Sequence, residues 1–301
     1  MATQHVETTE RTVTVPTSRR HLKVSSLLPH LALLCGVVIS IFPFYWLIVM
    51  ATNTTSAIYS YPPTLTFGTQ LVTNITHVMA SIDFFGSFVN TFIVAVCTMV
   101  LVLFFDSLAG FTFAKFEFPG KKALFLVLLA TFMVPAQLSV VPLFVMMAHL
   151  KWVGGLQALI IPGAANAFGI FWMRQVISSV PNEMLEAGRI DGCSPFGLYW
   201  RVVVPVIKPG LAALAVLTFI GIYNDFVLPV IAINSDDMQT LQVMLSALAT
   251  QINAAQVGVS GANAWGEILA ASTLASLPVL VLFTALQRQF IQGALAGSVK
   301  G

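Results

Sequence analysis

The residues that could do chemistry in this chain are few, and most sit inside apolar stretches. Asp225 lies deep in the run 209–233, next to Asn224 and Tyr223. An ionisable group at membrane depth is a functional candidate by default. These three residues can line a polar pathway, or they can bond neighbouring helices at a kink near Pro229. Adjacent helical residues point about 100° apart, so all three are not expected to face one lumen. Asn90 and Gln137 are uncharged candidates for the same pathway or for bonds between helices. Asp106, nine residues before Lys115, is expected to be interfacial or paired with another helix. His30, His77 and His149 lack ligand spacing, and Cys35, Cys97 and Cys193 suggest neither a metal site nor a disulfide framework. No Ser-His-Asp order points to a catalytic cluster, and nothing matches the phosphate-binding Gly-x4-Gly-Lys-Ser/Thr pattern.

The elements that must position these residues are membrane helices. Of 301 residues, 57% are apolar and only 9% charged. A soluble domain carries about 25% charged residues. The net charge of +2 gives no reason to expect nucleic acid. A span needs ~20 mostly apolar residues. Six candidates follow: 27–50, 86–108, 122–148, 154–178, 209–233 and 267–287. The first is too long for the core of a cleaved signal and has no small-residue cleavage site. Pro135 and Pro142 are expected to kink the third. Of the 14 Lys and Arg residues, all but Lys151 fall on one side of this arrangement, which places both termini in the cytoplasm. The fold class is therefore all-α and integral to the membrane. Residues 1–26 form a disordered tail, 27–288 the six-span domain and 289–301 a second cytoplasmic tail. The outer segments 51–85 and 234–266 are long enough for short surface helices.

The cytoplasmic segment 179–208 breaks the apolar pattern. Ser179 is expected to cap a helix with Pro181 in its first turn, and Gly192 to end it in a left-handed conformation. Ser194 then caps a second helix with Pro195 at its first position, which Pro205 limits. On the first helix Glu183, Glu186 and Ile190 share a face, beside a stripe of Val180, Met184 and Ala187. Ala187 and Gly188 would let a partner's backbone approach, and Asp191 belongs to the same loop. Such a helix-turn-helix suits a groove in another protein. A helix lying on lipid is the other reading, but those favour Lys and Arg where this one has Glu.

Glu186-Ala187-Gly188, three residues, Gly192, nine residues, and Val202-Val203-Val204-Pro205 resemble the loop signature of permeases from ATP-binding-cassette importers. That family writes Glu-Ala-Ala, a spaced Gly and a later aliphatic-x-Leu-Pro. Gly188, Val202 and Val204 are the departures. Lys115-Phe116-Glu117-Phe118-Pro119-Gly120, Tyr223-Asn224-Asp225-Phe226 and the tail from Gln289 are similar to the carbohydrate branch, in particular its maltose-type second permease. The resemblance covers about residues 27 to 301. It implies a bacterial inner-membrane subunit that pairs with a sister six-span permease. Two cytoplasmic ATPase subunits would use ATP and Mg, and an extracytoplasmic binding protein would deliver a sugar or oligosaccharide. This chain itself would bind no cofactor and would not be an enzyme. The loop residues Glu183, Glu186, Ala187, Gly188, Asp191, Gly192 and Pro205 would couple it to the ATPases. The competing reading is an ion-coupled secondary transporter that uses Asp225 and Asp106 as proton or sodium sites. Such a transporter has no need of the 179–208 dock.

Overall fold

A computed structural model describes residues 27–256 and 263–296. The expected tail 1–26 lies outside these residues, as do residues 297–301 of the expected tail 289–301, whose residues 289–296 belong to the last helix. The described residues are helical, with no strand among them. The chain divides into two units, one ending at Trp46 and one beginning at Leu47.

Helix α1 (Leu27–Ala51) is followed by the short α2 (Thr55–Ile58) and by α3 (Leu71–Ser81). Next comes α4 (Phe84–Lys115), started by Asp83, whose Oδ1 accepts from the Gly86 amide at 2.9 Å. At 32 residues α4 is about 48 Å long, more than the ~30 Å hydrocarbon core. Gly120, at φ 79°, turns the chain into α5 (Lys121–Phe132). A 3-10 turn (Ala136–Ser139) leads to α6 (Val140–His149). Then follow α7 (Gln157–Ile160), α8 (Ala167–Ser178), α9 (Asn182–Ile190) and α10 (Pro195–Leu198). A π-helical turn (Tyr199–Val203) continues into α11 (Val204–Val206). The last helices are α12 (Lys208–Tyr223), α13 (Val227–Ala232), α14 (Leu241–Gln256) and α15 (Ala264–Ala296).

Three helical stretches are each long and apolar enough to cross a membrane: Pro29–Ala51, Phe84–Lys115 and Ala264–Ala285. They match the first, second and sixth expected spans. The third is a pair, α5 and the Ala136–His149 segment, bent by 93°. Pro135 is at that bend, as expected. Pro142 is not at a kink: it occupies the first turn of α6, where a missing N–H costs nothing. The fourth expected span, 154–178, is not one helix. It is interrupted between Ile160 and Ala167, across Pro162-Gly163. The stretch Lys208–Tyr223 is bent by 82° from Pro195–Val206. Helix breaks again at Asn224–Phe226, upstream of the expected kink at Pro229. Among the described residues, at most five spans are therefore counted by length and composition, against six expected.

The core has α4 at its centre, packed against α8 and α12, with α12 also against α15. One cluster joins Phe84, Ala95, Phe219, Tyr223, Leu248 and Ala271. Another joins Val102, Phe111 and Met173 to Leu185, Leu198, Tyr199, Val203 and Ile207 of the 179–208 segment. That segment is thus rooted in the helical core. Interruption of α7–α8 and α12–α13 takes backbone groups out of the regular helical ladder, which membrane depth tolerates only inside protein or beside water.

Candidate functional site

The 179–208 segment is the helix-turn-helix that its prolines and glycine predict, with different details at its start. Ser179 does not cap α9. It closes α8, and its hydroxyl donates to the Val176 carbonyl at 2.8 Å. Pro181 takes the cap position without a side-chain bond. The end of α9 is a Schellman motif: Gly192 N–H donates to Arg189 O and Cys193 N–H to Gly188 O, both at 3.0 Å. Gly192 has φ 81°, the left-handed value that favours glycine. Ser194 Oγ accepts from the Gly197 amide at 3.2 Å, with Pro195 in the first turn. The wide π turn ends two residues before Pro205, which has no N–H to give a regular ladder.

The exposed edge of α9 carries Glu183, Glu186, Ala187 and Ile190, the last 87% exposed. Asp191 is exposed at its end. The apolar stripe differs from the expected one. Val180 is buried, but Met184 and Ala187 face outward, and the buried positions of α9 are Leu185 and Gly188. Gly188 faces the chain itself. A Cβ there would lie 2.6 Å from Leu198 Cδ2, so the glycine admits α10 and is not open to a partner. Phe196 and Trp200 are also more than half exposed. Nearby, the Glu117 carboxyl is held below its ordinary pKa, first by a hydrogen bond from Lys121 and then by the charges of Lys121 and Lys122.

Helix α4 grips this segment and the start of α8 before it at several points. Asp106 is fully buried and paired with another helix, as one of its two expected placements had it: its Oδ1 accepts from the Asn166 amide at 3.1 Å. It thus meets the N-terminus of α8, where negative charge is favoured. Asn166 caps α8 through a 2.8 Å bond from the Gly169 amide. Gly169 leaves the room for the carboxyl: a Cβ there would sit 1.9 Å from Asp106 Oδ2. Ser107 Oγ lies 2.7 Å from Tyr199 OH and also donates to the Leu103 carbonyl, so the tyrosine is the donor to the serine. Lys115 Nζ donates to Val180 O at 2.6 Å and to Asn182 Oδ1 at 2.9 Å.

The expected pathway residues are not joined by hydrogen bonds. Tyr223 is buried, stacks on Phe219 and donates its hydroxyl to Ala275 O at 2.8 Å. It holds α12 to α15. Asn224 is exposed and donates to Ile220 O at 2.9 Å, while Asp225 Oδ1 accepts from the Val227 amide at 3.2 Å. Both tie up the helix break. Asn90 donates to the carbonyls of Asp237 and Gln239 at 2.9 and 3.2 Å, which fastens α4 to the 3-10 turn (Asp236–Met238) between α13 and α14. Gln137 is exposed in the 3-10 turn. A cavity of about 290 Å³ lies elsewhere, lined by Val102, Gly163, Asn166, Phe168, Thr218 and Gly221.

Sequence reasoning missed a polar knot in the 51–85 and 234–266 segments. Asn74 is fully buried and donates to Ala51 O at 2.9 Å. Asn263 Nδ2 donates to Asn74 Oδ1 at 2.6 Å and to Asn53 O at 3.1 Å, and its Oδ1 accepts from the Thr55 amide. Glu267 Oε1 is 3.0 Å from His77 Nδ1. Asn263 and Glu267 lie about two hundred positions from their partners, so no local spacing could signal them.

Comparison with known proteins decides the family. Residues 106–295 match the family described as binding-protein-dependent transport system inner membrane component. The chain belongs to this family. The matched region starts at Asp106 and contains the whole helix-turn-helix. The lactose transport system permease protein of Rhizobium radiobacter is 35% identical over 87% of this chain and 92% of its own length. The arabinooligosaccharides transport system permease protein of Halalkalibacterium halodurans is 30% identical, with the same two coverages. The sn-glycerol-3-phosphate transport system permease protein of Salmonella typhi is 32% identical over 92% of this chain and 97% of its own length. The fold is shared with a chain of a bacterial ABC transporter that imports the acidic polysaccharide alginate, at a TM-score of 0.77 and 20% identity. That match covers 92% of this chain and all of the other.

Proposed function

We propose that this chain is a six-span permease subunit of an ATP-driven sugar importer, with both termini in the cytoplasm. It forms half of the translocation pathway beside a sister permease. Its α9–α10 segment docks on ATPase subunits that bind ATP and Mg, and an external binding protein supplies the sugar. The observation that carries this reading is the exposed acidic edge of α9, Glu183 and Glu186, on a segment rooted in the core of a chain of this family. The names of two relatives, for lactose and arabino-oligosaccharides, support a sugar or oligosaccharide as the solute. The basic residues on one side support the orientation. The ion-coupled alternative has less support. Asp106 is buried and bound to the Asn166 amide, and Asp225 is engaged at the α12–α13 break.

Glu186→Arg tests the docking. In the assembled transporter it reverses the charge on the exposed edge without touching the buried face. The expected result is loss of co-purifying ATPase subunits, or ATP hydrolysis no longer tied to uptake. Normal import with ATPases bound would remove α9 as the dock.

A further inference from the structure

The inner end of α4 is fastened to the chain segment 166–199 at three places, and these contacts have no assigned role in transport. From Asp106 to Lys115 is about 13 Å along the helix. Within that length Asp106 holds the start of α8, Ser107 holds Tyr199, and Lys115 holds the α8–α9 junction through Val180 O and Asn182. Between these points the two helices meet nearly backbone to backbone. A Cβ on Gly110 would lie 2.8 Å from the Arg174 amide nitrogen. No flexible side chain separates α4 from α8 there, so neither can slide without the other.

We propose that the inner half of α4 is the element that carries displacement of the α9–α10 dock into the transmembrane helices, with Ser107 and Tyr199 as its positioning pair. The proposal rests on the docking reading above. Tyr199 is the informative member. It lies behind the dock, fully enclosed between Phe111, Phe196 and Trp200, and its hydroxyl reaches α4 directly. Its ring therefore serves packing, while its hydroxyl adds the directional bond that fixes the register of the dock's base on α4. Ser107 receives the bond because its own proton is given to Leu103 O. A slip of one helical position would bring a different residue to Tyr199 and break the register.

The test uses the complete transporter in proteoliposomes, with sister permease, ATPases and binding protein. The solute is whichever of lactose, arabinotriose and sn-glycerol 3-phosphate the wild type imports. Tyr199→Phe keeps the ring, and Ser107→Ala removes the acceptor. Each is expected to raise the ATP hydrolysed per solute imported several-fold at normal subunit stoichiometry. The double variant should be no worse than either single one, because both remove the same contact. A purely structural role would lower assembly and both activities together and leave the ratio unchanged, which would overturn the proposal. Spin labels at Arg189 and Phe85 give a solute-free readout. Their separation should be the same in nucleotide-free and ATP-trapped wild type, and should differ between those states in Tyr199→Phe. A wild-type separation that changes would also overturn the proposal. Glu186→Arg is measured in parallel. If it uncouples while Tyr199→Phe does not, the α4 link alone fails. If it is silent while Tyr199→Phe uncouples, the docking face fails and the link stands.

Discussion

Gly169→Ala should damage this protein more than any ordinary glycine-to-alanine change in a helix. Alanine normally gains up to about 1 kcal/mol over glycine there. Here the new methyl would start 1.9 Å from Asp106 Oδ2, far inside contact distance. The carboxyl is fully buried and held by the Asn166 amide, so it cannot swing into solvent. Forcing it aside is an overpacking event of about 1–3 kcal/mol. Losing the part-buried bond from the Asn166 amide to the carboxyl costs a further ~1–3 kcal/mol. The sum is about 2–6 kcal/mol of destabilisation. Equilibrium unfolding of the purified chain in mixed micelles measures it. Asp106→Ala alone should cost only the unmet donor and the small cavity. In the double variant the clash is gone, so its penalty should match Asp106→Ala alone and not the sum. Additive penalties, or a Gly169→Ala variant as stable as the wild type, would refute the proposed contact.

Single-cysteine labelling at Gln70 and Asn253 should report the outer side, and at Ser194 the inner side; inner labelling at Asn253 would defeat the six-span orientation. Gly192→Val should misplace α9 and cost about 1–2 kcal/mol, because φ 81° is unfavourable for a branched side chain although nothing crowds the position. Limited proteolysis of the 179–208 segment would show it. Asn224→Ala and Asp225→Ala complexes separate lumen from scaffold: lost uptake in intact complexes assigns a pathway role, and lost assembly assigns the α12–α13 break. Tyr223→Phe should lower stability by about 1 kcal/mol by deleting the bond to Ala275 O, with uptake per assembled complex unchanged.

Composition alone determined the solvent of this protein. A chain with 9% charge cannot coat a soluble globule, and its apolar runs announce helices because lipid leaves the backbone few other solutions. The 179–208 turn was equally legible, since Gly192, Ser194 and Pro195 act on their own backbone within a few residues. Continuity of the spans was not. Pro162-Gly163 punctuates the fourth, but an apolar count passes over two residues. The facing of side chains was decided only by tertiary packing. Gly188 turned inward because Leu198 lies against it, and Tyr223 became a strut because Ala275 O is within reach. Asp106 is the clearest case. Its sequence position suggested a membrane interface or a bond to another helix, but not which: its partner is the Asn166 amide, sixty residues away, and the room for it comes from the absence of a side chain at Gly169. A period along the chain records what lies on one helix. It holds no record of which backbone group on another helix will satisfy a buried carboxyl, and that match was made only when the helices packed.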